Sequence, residues 1–248
     1  MALERVLNGA LSYACTGRNE FLKKLKSLPK TTAVVISCVD SRVFPANFLS
    51  TEPGDTFIIR NPGNFVPPVH PKHDPCDVLS TLELACVRGE VDDIFVCGHS
   101  DCKAMHLLNS MGRSVVNHKL QLEQMSPLQK WIAVHGMEGF YKYDLGKAVL
   151  DFPVRDIFRL SFPLSLKLSS LTDLSTPDQL SQINVVQQMS HIYSHSLLIE
   201  RLLAGTLRIH GLWFHIHSAQ VHMLSRPDQR FIPVTRESVP LLLKQSTM

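Results

Sequence analysis

Three short, mostly apolar runs in the first hundred residues predict the strands of one buried sheet. Residues 33–37 form a continuous run of β-branched and apolar side chains that leads directly into Cys38, and similar runs follow at residues 56–60 and 93–98, each after a turn. Runs of this length and composition are typical of strands that are covered on both faces. They favour a parallel sheet over a half-exposed antiparallel one.

The segment between the second and third runs predicts a connecting helix. Val78, Leu82, Ala85 and Cys86 recur there at helical spacing. Strands that alternate with helices are typical of an α/β fold, in which right-handed crossovers join parallel strands.

The C-terminal part of the chain predicts one more long helix and a hairpin. Residues 178–204 have an amphipathic helical pattern, with Thr176 or Asp178 as the candidate N-cap, and residues 206–217 and 220–225 read as an edge hairpin. The predicted fold class is therefore α/β: a mainly parallel β-sheet flanked by helices, with an additional C-terminal edge strand or hairpin.

Length and composition favour a single domain over residues 1–248. The chain has 248 residues, of which 44% are hydrophobic, and this is enough to bury one full core. The least regular part is residues 112–177, where a helix-like pattern around residues 127–134 is followed by loops rich in Ser, Leu and Pro.

Charge and cysteine content exclude several classes of partner. The net charge is +3, and apart from a short cluster at Lys23, Lys24 and Lys26 the basic residues are scattered, so nucleic acid is not an expected partner. No apolar run approaches the roughly 18 to 20 residues that cross a bilayer, so no membrane span is expected. Six cysteines in a chain of this size do not resemble the framework of a small secreted domain, so we expect reduced thiols and an intracellular protein.

The first thirty residues leave the compartment open between mitochondrial and cytoplasmic. They contain several Lys and Arg but only Glu4 and Glu20 as acids, a bias shared by organelle-targeting segments. A helix docked on a core would also account for the apolar pattern of this segment, which consists of Leu3, Val6, Leu7, Ala10 and Leu11.

The first candidate for chemistry lies where the first predicted strand ends. Cys38, Asp40 and Arg42 alternate along the chain there. While the chain stays extended, alternate side chains share one face, and ligand sites in open α/β sheets lie at the carboxyl ends of the strands. A thiolate, a carboxylate and a guanidinium are therefore expected in one crevice.

The second candidate lies at the equivalent end of the third predicted strand. His99 and Cys102 are three residues apart, a spacing that suits chelation of one ion, and a helix that starts there favours the thiolate form of Cys102. With Cys38 they make a set of two thiolates and one imidazole, which suits Zn²⁺. Three protein ligands leave the fourth position for water or a competing carboxylate, as in a catalytic site.

These two segments resemble the signatures of the β-carbonic anhydrase family, Cys-x-Asp-Ser-Arg at residues 38–42 and His-x-x-Cys at residues 99–102. Residues 60–64 resemble the family's Arg-Asn-x-x-Asn loop, and residues 182–189 and 207–214 are similar to animal members in particular. The resemblance covers nearly the whole chain and is weakest over the irregular region. It implies the family's fold and its activity, the reversible hydration of carbon dioxide to bicarbonate and a proton by a carbonate dehydratase.

The resemblance also implies a role for each residue. One Zn²⁺ per subunit would be held by Cys38, His99 and Cys102, while Arg42 binds Asp40 and keeps it away from the metal, so that water takes the fourth position and Asp40 accepts its hydrogen bond. In a closed form Asp40 is itself the fourth metal ligand. Because two thiolates weaken zinc as a Lewis acid, we expect activity to rise toward alkaline pH. The family implies a homodimer or a dimer of dimers, with sites near the subunit interface.

Other functions remain open on the sequence alone. A hydrolase of carbonyl sulfide or carbon disulfide could use the same site, and a non-catalytic zinc-binding or thiol-sensing protein could hold the same metal. The Asp40–Arg42 pair favours catalysis over the latter, although such a pair is often merely structural. A cysteine phosphatase is excluded, because its phosphate loop needs a longer spacing than the three residues between Cys38 and Arg42.

Several further His and Cys residues have simpler interpretations. His70, His73 and Cys76 could form a second metal site, but exposure in a Pro-rich loop is favoured. His215 and His217 share a strand face and could transfer protons, although a surface role is favoured. The remaining thiols are predicted to be core or inert residues, and these are Cys15, Cys86 and Cys97.

Overall fold

A six-stranded sheet forms the centre of the molecule. The structure is a computed structural model that describes residues 1–26, 30–69, 76–117, 122–154 and 163–246. The strand order is β2-β1-β3-β6-β7-β8. In chain order the strands are β1 (Ala33–Cys38), β2 (Thr56–Asn61), β3 (Asp93–His99), β6 (Arg208–His215), β7 (Gln220–Ser225) and β8 (Arg230–Pro233). The β4 (Val149–Asp151) and β5 (Ser165–Lys167) strands pair separately as a small antiparallel sheet.

The predicted fold class is confirmed. Strands β2, β1, β3 and β6 are parallel, whereas β7 and β8 add to the sheet in antiparallel orientation. The predicted hairpin is present as β6 and β7, and the short β8, which the sequence did not predict, lies beyond it at the edge. Strand β6 pairs with β3 on its other side, which explains why Ile209 to Phe214 are buried.

Helices connect and cover the strands. The first seven are α1 (Ala2–Ser12), α2 (Arg18–Leu25), α3 (Pro45–Phe48), α4 (Asp77–Leu82), α5 (Lys103–Val116), α6 (Pro127–Asp144) and α7 (Thr176–Ser194), and they are followed by α8 (Ile199–Leu203) and α9 (Val239–Ser246). A π-helical segment at Tyr13–Gly17 joins α1 to α2, and a second one at Glu83–Arg88 follows α4 directly. None of the helices in the described part of the chain is long and apolar enough to cross a membrane.

The long C-terminal helix differs from its prediction in three ways. Its N-cap is Ser175, whose Oγ accepts a hydrogen bond from the backbone N–H of Asp178 (3.4 Å), so neither Thr176 nor Asp178 is the cap. It ends at Ser194, and a short 3₁₀ turn separates it from α8, so residues 178–204 are not one helix. It is not amphipathic either, because α5 and α6 cover the side that the sheet does not.

Close packing of α7 on the sheet depends on a glycine near the end of β3. A Cβ atom on Gly98 would lie 2.6 Å from a methyl carbon of Val185 on α7, which is a severe clash. Glycine at this position therefore lets the helix approach the end of β3, so that α7 can contact the residues that follow the strand.

The irregular region at residues 112–177 contains more helix than the sequence predicts. It includes the end of α5, all of α6 and the small β4–β5 sheet. The helical pattern recognised around residues 127–134 is correct in place, but α6 continues to Asp144. Its start is fixed by a capping box, in which Ser126 Oγ and the Gln129 side chain bond each other's backbone N–H groups.

The N-terminal helix does not dock on the core of its own chain. None of the residues of α1 is buried, and Leu3, Val6 and Leu11 each expose more than 60% of their surface. The apolar pattern of this helix therefore remains uncovered within a single chain.

Candidate metal site

Two neighbouring parallel strands and one helix bring the predicted ligands together. Cys38 is the last residue of β1 and His99 is the last residue of β3, and the two strands pair directly with Ser37 opposite Cys97. Cys102 is the N-cap of α5. The parallel arrangement therefore places both strand ends and the start of the helix at one edge of the sheet.

The three ligand atoms have a geometry that suits one zinc ion. They lie within 4.8 Å of one another, all three residues are buried, and the two sulfur atoms are 3.9 Å apart. Two sulfurs on a tetrahedral zinc with bonds of about 2.3 Å lie about 3.8 Å apart. This is the only such group among the residues that the structure describes.

The His99 ring has one nitrogen bonded and one free. Nδ1 lies 2.8 Å from the carbonyl oxygen of Ser100, and this geometry assigns the proton to Nδ1. Nε2 is buried and has no hydrogen-bond partner in the described part of the chain. An unpartnered buried nitrogen is costly, and a lone pair on Nε2 with a carbonyl behind Nδ1 is the usual arrangement of a metal-binding histidine.

The two thiols share a hydrogen bond that shifts their acidities in opposite directions. The hydrogen bond with Cys102 lowers the pKa of Cys38, and the same bond together with burial raises the pKa of Cys102. The Gly63 N–H also donates to Cys38 Sγ (3.4 Å), from a turn in which Gly63 has φ +86°. A divalent cation that binds both sulfurs as thiolates would displace the protons that they carry.

Asp40 lies beside this group and is bound by Arg42 on both oxygens. Arg42 Nε donates to Oδ1 (3.0 Å), Nη2 donates to Oδ2 (2.8 Å), and the backbone N–H of Arg42 donates to Oδ1 (3.0 Å). These bonds hold the pKa of Asp40 well below its usual range. The carboxylate of Asp40 is not part of the ligand group defined by the two thiols and the imidazole.

Two further residues shape the site and were not assigned a role from the sequence. Arg60 Nε donates to the carbonyl of Cys38 (2.9 Å), and its Nη2 donates to the carbonyls of Asp40 (2.7 Å) and Val43 (2.8 Å), which fixes the backbone after β1. Asp101 accepts from Arg42 Nη1 (2.6 Å), and this bond holds the pKa of Asp101 at about 2. Arg60 is the first residue of the Arg-Asn-x-x-Asn loop, so the sequence did offer a signal for it. Asp101 occupies one of the variable positions of the His-x-x-Cys signature, which gives no such signal.

The other candidate histidines differ in whether the structure describes them. His70 and His73 lie outside the described residues, so the structure tests neither the favoured exposed loop nor a second metal site there. His215 bonds Ser218 through Nδ1 (2.6 Å), and the rings of His215 and His217 are 6.0 Å apart at the rim of the hairpin.

The remaining cysteines take no part in the site. Cys86 and Cys97 are buried, and burial raises the pKa of each to about 12, which makes both thiols inert at neutral pH. Cys15 is exposed on the N-terminal helix, so it is not a core residue.

Comparison with known proteins identifies the family. The sequence model described as carbonic anhydrase matches residues 33–140. Beta carbonic anhydrase 1 of Caenorhabditis elegans is 32% identical over 98% of this chain and 92% of its own length, and the carbonic anhydrase of Pseudomonas aeruginosa is 29% identical over 92% and 90%. The chain therefore belongs to the β-carbonic anhydrase family.

Solved structures agree with this assignment at the level of the fold. The β-carbonic anhydrase CcaA superposes with a TM-score of 0.67 at 22% identity, covering 94% of this chain and 92% of that one. A β-carbonic anhydrase of Coccomyxa gives a TM-score of 0.61 at 20% identity, covering 96% and 91%.

Proposed function

We propose that this protein hydrates carbon dioxide reversibly to bicarbonate and a proton, with one Zn²⁺ per subunit held by Cys38, His99 and Cys102. The carbonate dehydratase activity follows from family membership. The metal and the roles of the residues are our proposal. The observation that carries it is the Nε2 of buried His99, which has no hydrogen-bond partner among the described residues and lies within 4.8 Å of two thiols.

The donor set suits zinc, and it leaves one coordination position open. When bound, zinc supplies Lewis acidity that brings the ionisation of water into the neutral range. Three protein ligands are typical of catalytic zinc sites, whereas structural sites have four. The buried ends of β1 and β3 carry Cys38 and His99, and the start of α5 carries Cys102.

Asp40 orients the attacking water in this proposal and does not store its proton. Its lowered pKa keeps it a carboxylate throughout the neutral range, so it can accept a hydrogen bond from water through Oδ1 or Oδ2. A carboxylate this acidic is a poor general base at neutral pH, because it would release a captured proton at once. The proton therefore passes to solvent or buffer.

Arg42 decides where the Asp40 carboxylate points. Both Asp40 oxygens are bound by the Arg42 side chain, so a move of Asp40 onto the metal would break two charge-assisted hydrogen bonds. We propose that the paired arrangement is the open, active form and that Asp40 becomes the fourth metal ligand, in a closed form, only when this pair is broken.

We also propose that residues 1–248 act as one domain that assembles as a homodimer or a dimer of dimers. A β-carbonic anhydrase of Sordaria macrospora is described as tetrameric, and the uncovered apolar side chains of α1 support an assembly that buries them. The compartment is proposed to be mitochondrial or cytoplasmic. A plant relative that is 28% identical over 79% of this chain is named as mitochondrial.

Stopped-flow measurement of carbon dioxide hydration tests the proposal, with zinc measured in the same preparations. We expect about one zinc per wild-type chain and rapid hydration, and in Asp40→Ala we expect full zinc with activity reduced about a hundredfold or more. Full zinc with no hydration in the wild type would reject the proposal. Carbonyl sulfide hydrolysis is assayed in parallel. If it is faster than the hydration of carbon dioxide, carbonyl sulfide becomes the proposed substrate.

A further inference from the structure

Arg42 is shared between two carboxylates, and the proposed function accounts for only one of them. The Nε and Nη2 groups of Arg42 bind Asp40, as described above. Nη1 donates to Asp101 Oδ2 (2.6 Å), and Nη2 also donates to the carbonyl oxygen of Asp101 (2.9 Å). Asp101 therefore binds the edge of the guanidinium that Asp40 leaves free.

Asp101 is itself held rigidly. It has φ +49°, in the left-handed region that Asp and Asn tolerate better than other non-glycine residues. Its backbone N–H donates to Asp178 Oδ1 (2.7 Å) in the first turn of α7. The preceding residue is fixed as well, because the Ser100 N–H donates to the carbonyl of Phe214 (3.0 Å) and the Ser100 Oγ accepts from the N–H of Ile216 (2.9 Å).

The second oxygen of the Asp101 carboxylate is bound from α5. His106 Nε2 lies 2.9 Å from Oδ1, and Lys103 Nζ lies 3.6 Å from the same oxygen. One oxygen thus faces α5 and the other faces Arg42. The orientation of the carboxylate is set on both sides.

We propose that Asp101 is a positioning residue for the hydration reaction: it anchors the Arg42 guanidinium against Asp40 and so keeps Asp40 off the metal. The inference rests on the proposed function, because it concerns the balance between the open and closed forms. Asp101 acts through Arg42, to which it is bound by its carboxylate and by its carbonyl oxygen.

The physical reason is the freedom of the arginine side chain. Arg42 is 38% exposed, and a long, partly exposed side chain has many competing rotamers. Asp40 alone would have to restrict them, and an isolated, partly exposed ion pair is weak. The Asp101 carboxylate, on a fixed loop, already restricts the Arg42 rotamers. The bonds from Arg42 to Asp40 therefore form at a smaller cost in side-chain entropy.

The variant Asp101→Asn tests this with little disturbance. Asparagine has the same shape, tolerates the positive φ and keeps the backbone bonds, but it removes the charge that binds Arg42. We expect full zinc content and a kcat/KM per bound zinc that is about five- to tenfold lower. The Kd for thiocyanate, measured by calorimetry on zinc-loaded protein, should rise by the same factor, because anion binding also requires the position that Asp40 would occupy.

A double-variant cycle separates positioning from a general structural role. In the Asp40→Ala background no carboxylate remains to close the site, so adding Asp101→Asn should leave the Kd for thiocyanate unchanged. The matched control is Asp144→Asn, which removes another arginine-paired carboxylate, 3.9 Å from Arg113, and should leave both kcat/KM and the thiocyanate Kd at wild-type values.

Several results would overturn the inference. These are an Asp101→Asn protein with wild-type kcat/KM and Kd, a loss of activity without weaker anion binding, or an effect on Kd that persists in the Asp40→Ala background. If Asp101→Asn does not fold, Asp101→Gly must reproduce the expected effects, since glycine adopts the same φ at no cost; failure of both to fold would contradict a role confined to Arg42. A wild type with neither hydration nor anion binding would reject the proposed function instead.

Discussion

Two clusters in this sheet pair an aspartate with an arginine in the same way and differ in what surrounds them. At the carboxyl ends of the strands, Arg42 binds both oxygens of Asp40. At the opposite end, Arg208 Nε and Nη2 bind both oxygens of Asp93 (2.8 and 2.7 Å), and His210 Nε2 adds a third bond to Oδ1 (2.8 Å).

The two clusters differ in whether the side chains next to the ion pair have hydrogen-bond partners. The His210 ring has Asp93 on its Nε2 and stacks on Phe95 with ring centroids 4.9 Å apart. Beside Asp40, by contrast, the Nε2 of His99 is buried without a hydrogen-bond partner among the described residues, and the sulfur atoms of Cys38 and Cys102 lie 3.9 Å apart. The ion pair alone therefore does not indicate chemistry; unsatisfied ligand atoms next to it do, and they lie at the strand ends where parallel sheets place their sites.

The largest expected effect is on the metal. Cys102→Ser removes one of the two sulfur ligands from the site and leaves the sheet unchanged, so we expect zinc affinity to fall at least about a hundredfold and hydration to become undetectable. Competition with a chromophoric chelator measures the affinity, and circular dichroism checks the fold. Wild-type zinc affinity in this variant would mean that the metal lies elsewhere.

The comparison predicts opposite outcomes for the two aspartates in a hydration assay. Asp40→Asn should lower kcat/KM about a hundredfold, because the neutral amide no longer pairs with Arg42 or accepts the same charge-assisted bond. Asp93→Asn should change kcat/KM less than about threefold, since Asp93 lies at the other end of the sheet. Equal losses in both variants would break the distinction between the clusters.

Asp93 should contribute to stability, and its contribution should depend on pH. Burial raises the pKa of Asp93, but the bonds from His210 and Arg208 outweigh it and lower the pKa to about 2 from an ordinary 3.8. The carboxylate therefore stabilises the fold above about pH 4, and this contribution is lost as the pH falls toward 2. Urea unfolding should place Asp93→Asn about 2 kcal/mol below the wild type at pH 7, with the gap closing in acid. A gap that is constant with pH would contradict this.

The smallest expected effect is on stability, when lysine replaces the arginine that pairs with Asp93. Arg208→Lys keeps the charge but loses the two parallel bonds to Asp93, which should cost about 0.5 to 1 kcal/mol in urea unfolding with no change in hydration. Arg42→Lys is the matched variant, and it should reduce hydration about tenfold because a lysine cannot bind both Asp40 oxygens side by side. Loss of hydration in the Arg208 variant would show that the clusters are coupled.

The sequence predicted those parts of the molecule whose structure is determined by residues close together along the chain. Strands β1 to β3 are apolar at successive positions, and Cys38 and His99 stand at the ends of β1 and β3, so these candidate ligands could be placed at one edge of the sheet without the structure. The predicted amphipathic character of α7 was wrong because its polar side chains have distant partners. Asn184, for example, donates to the carbonyl of Gly63, 121 residues away, and Gln188 accepts from the N–H of Val66. Pattern along the chain cannot distinguish such a buried polar face from a solvated one.

The same reason explains the missed role of Asp101. Its significance depends on Arg42, which is 59 residues away, and on the backbone bond to Asp178, which is 77 residues away. Neither contact leaves a periodic signal. The break after α7 at His195 and the short β8 strand were also missed, because each is determined by packing against elements that sequence spacing does not bring together.

The loop that carries His99 and Cys102 has a consequence for how the protein is made. All three proposed ligands are synthesised before residue 103, yet the loop is fixed by Asp178, by the carbonyl of Phe214 and by the N–H of Ile216. A nascent chain on the ribosome therefore carries the complete ligand set long before it can hold that set in place. Zinc uptake is expected to be a late, largely post-translational event, and a chain truncated before residue 214 should exchange its metal freely.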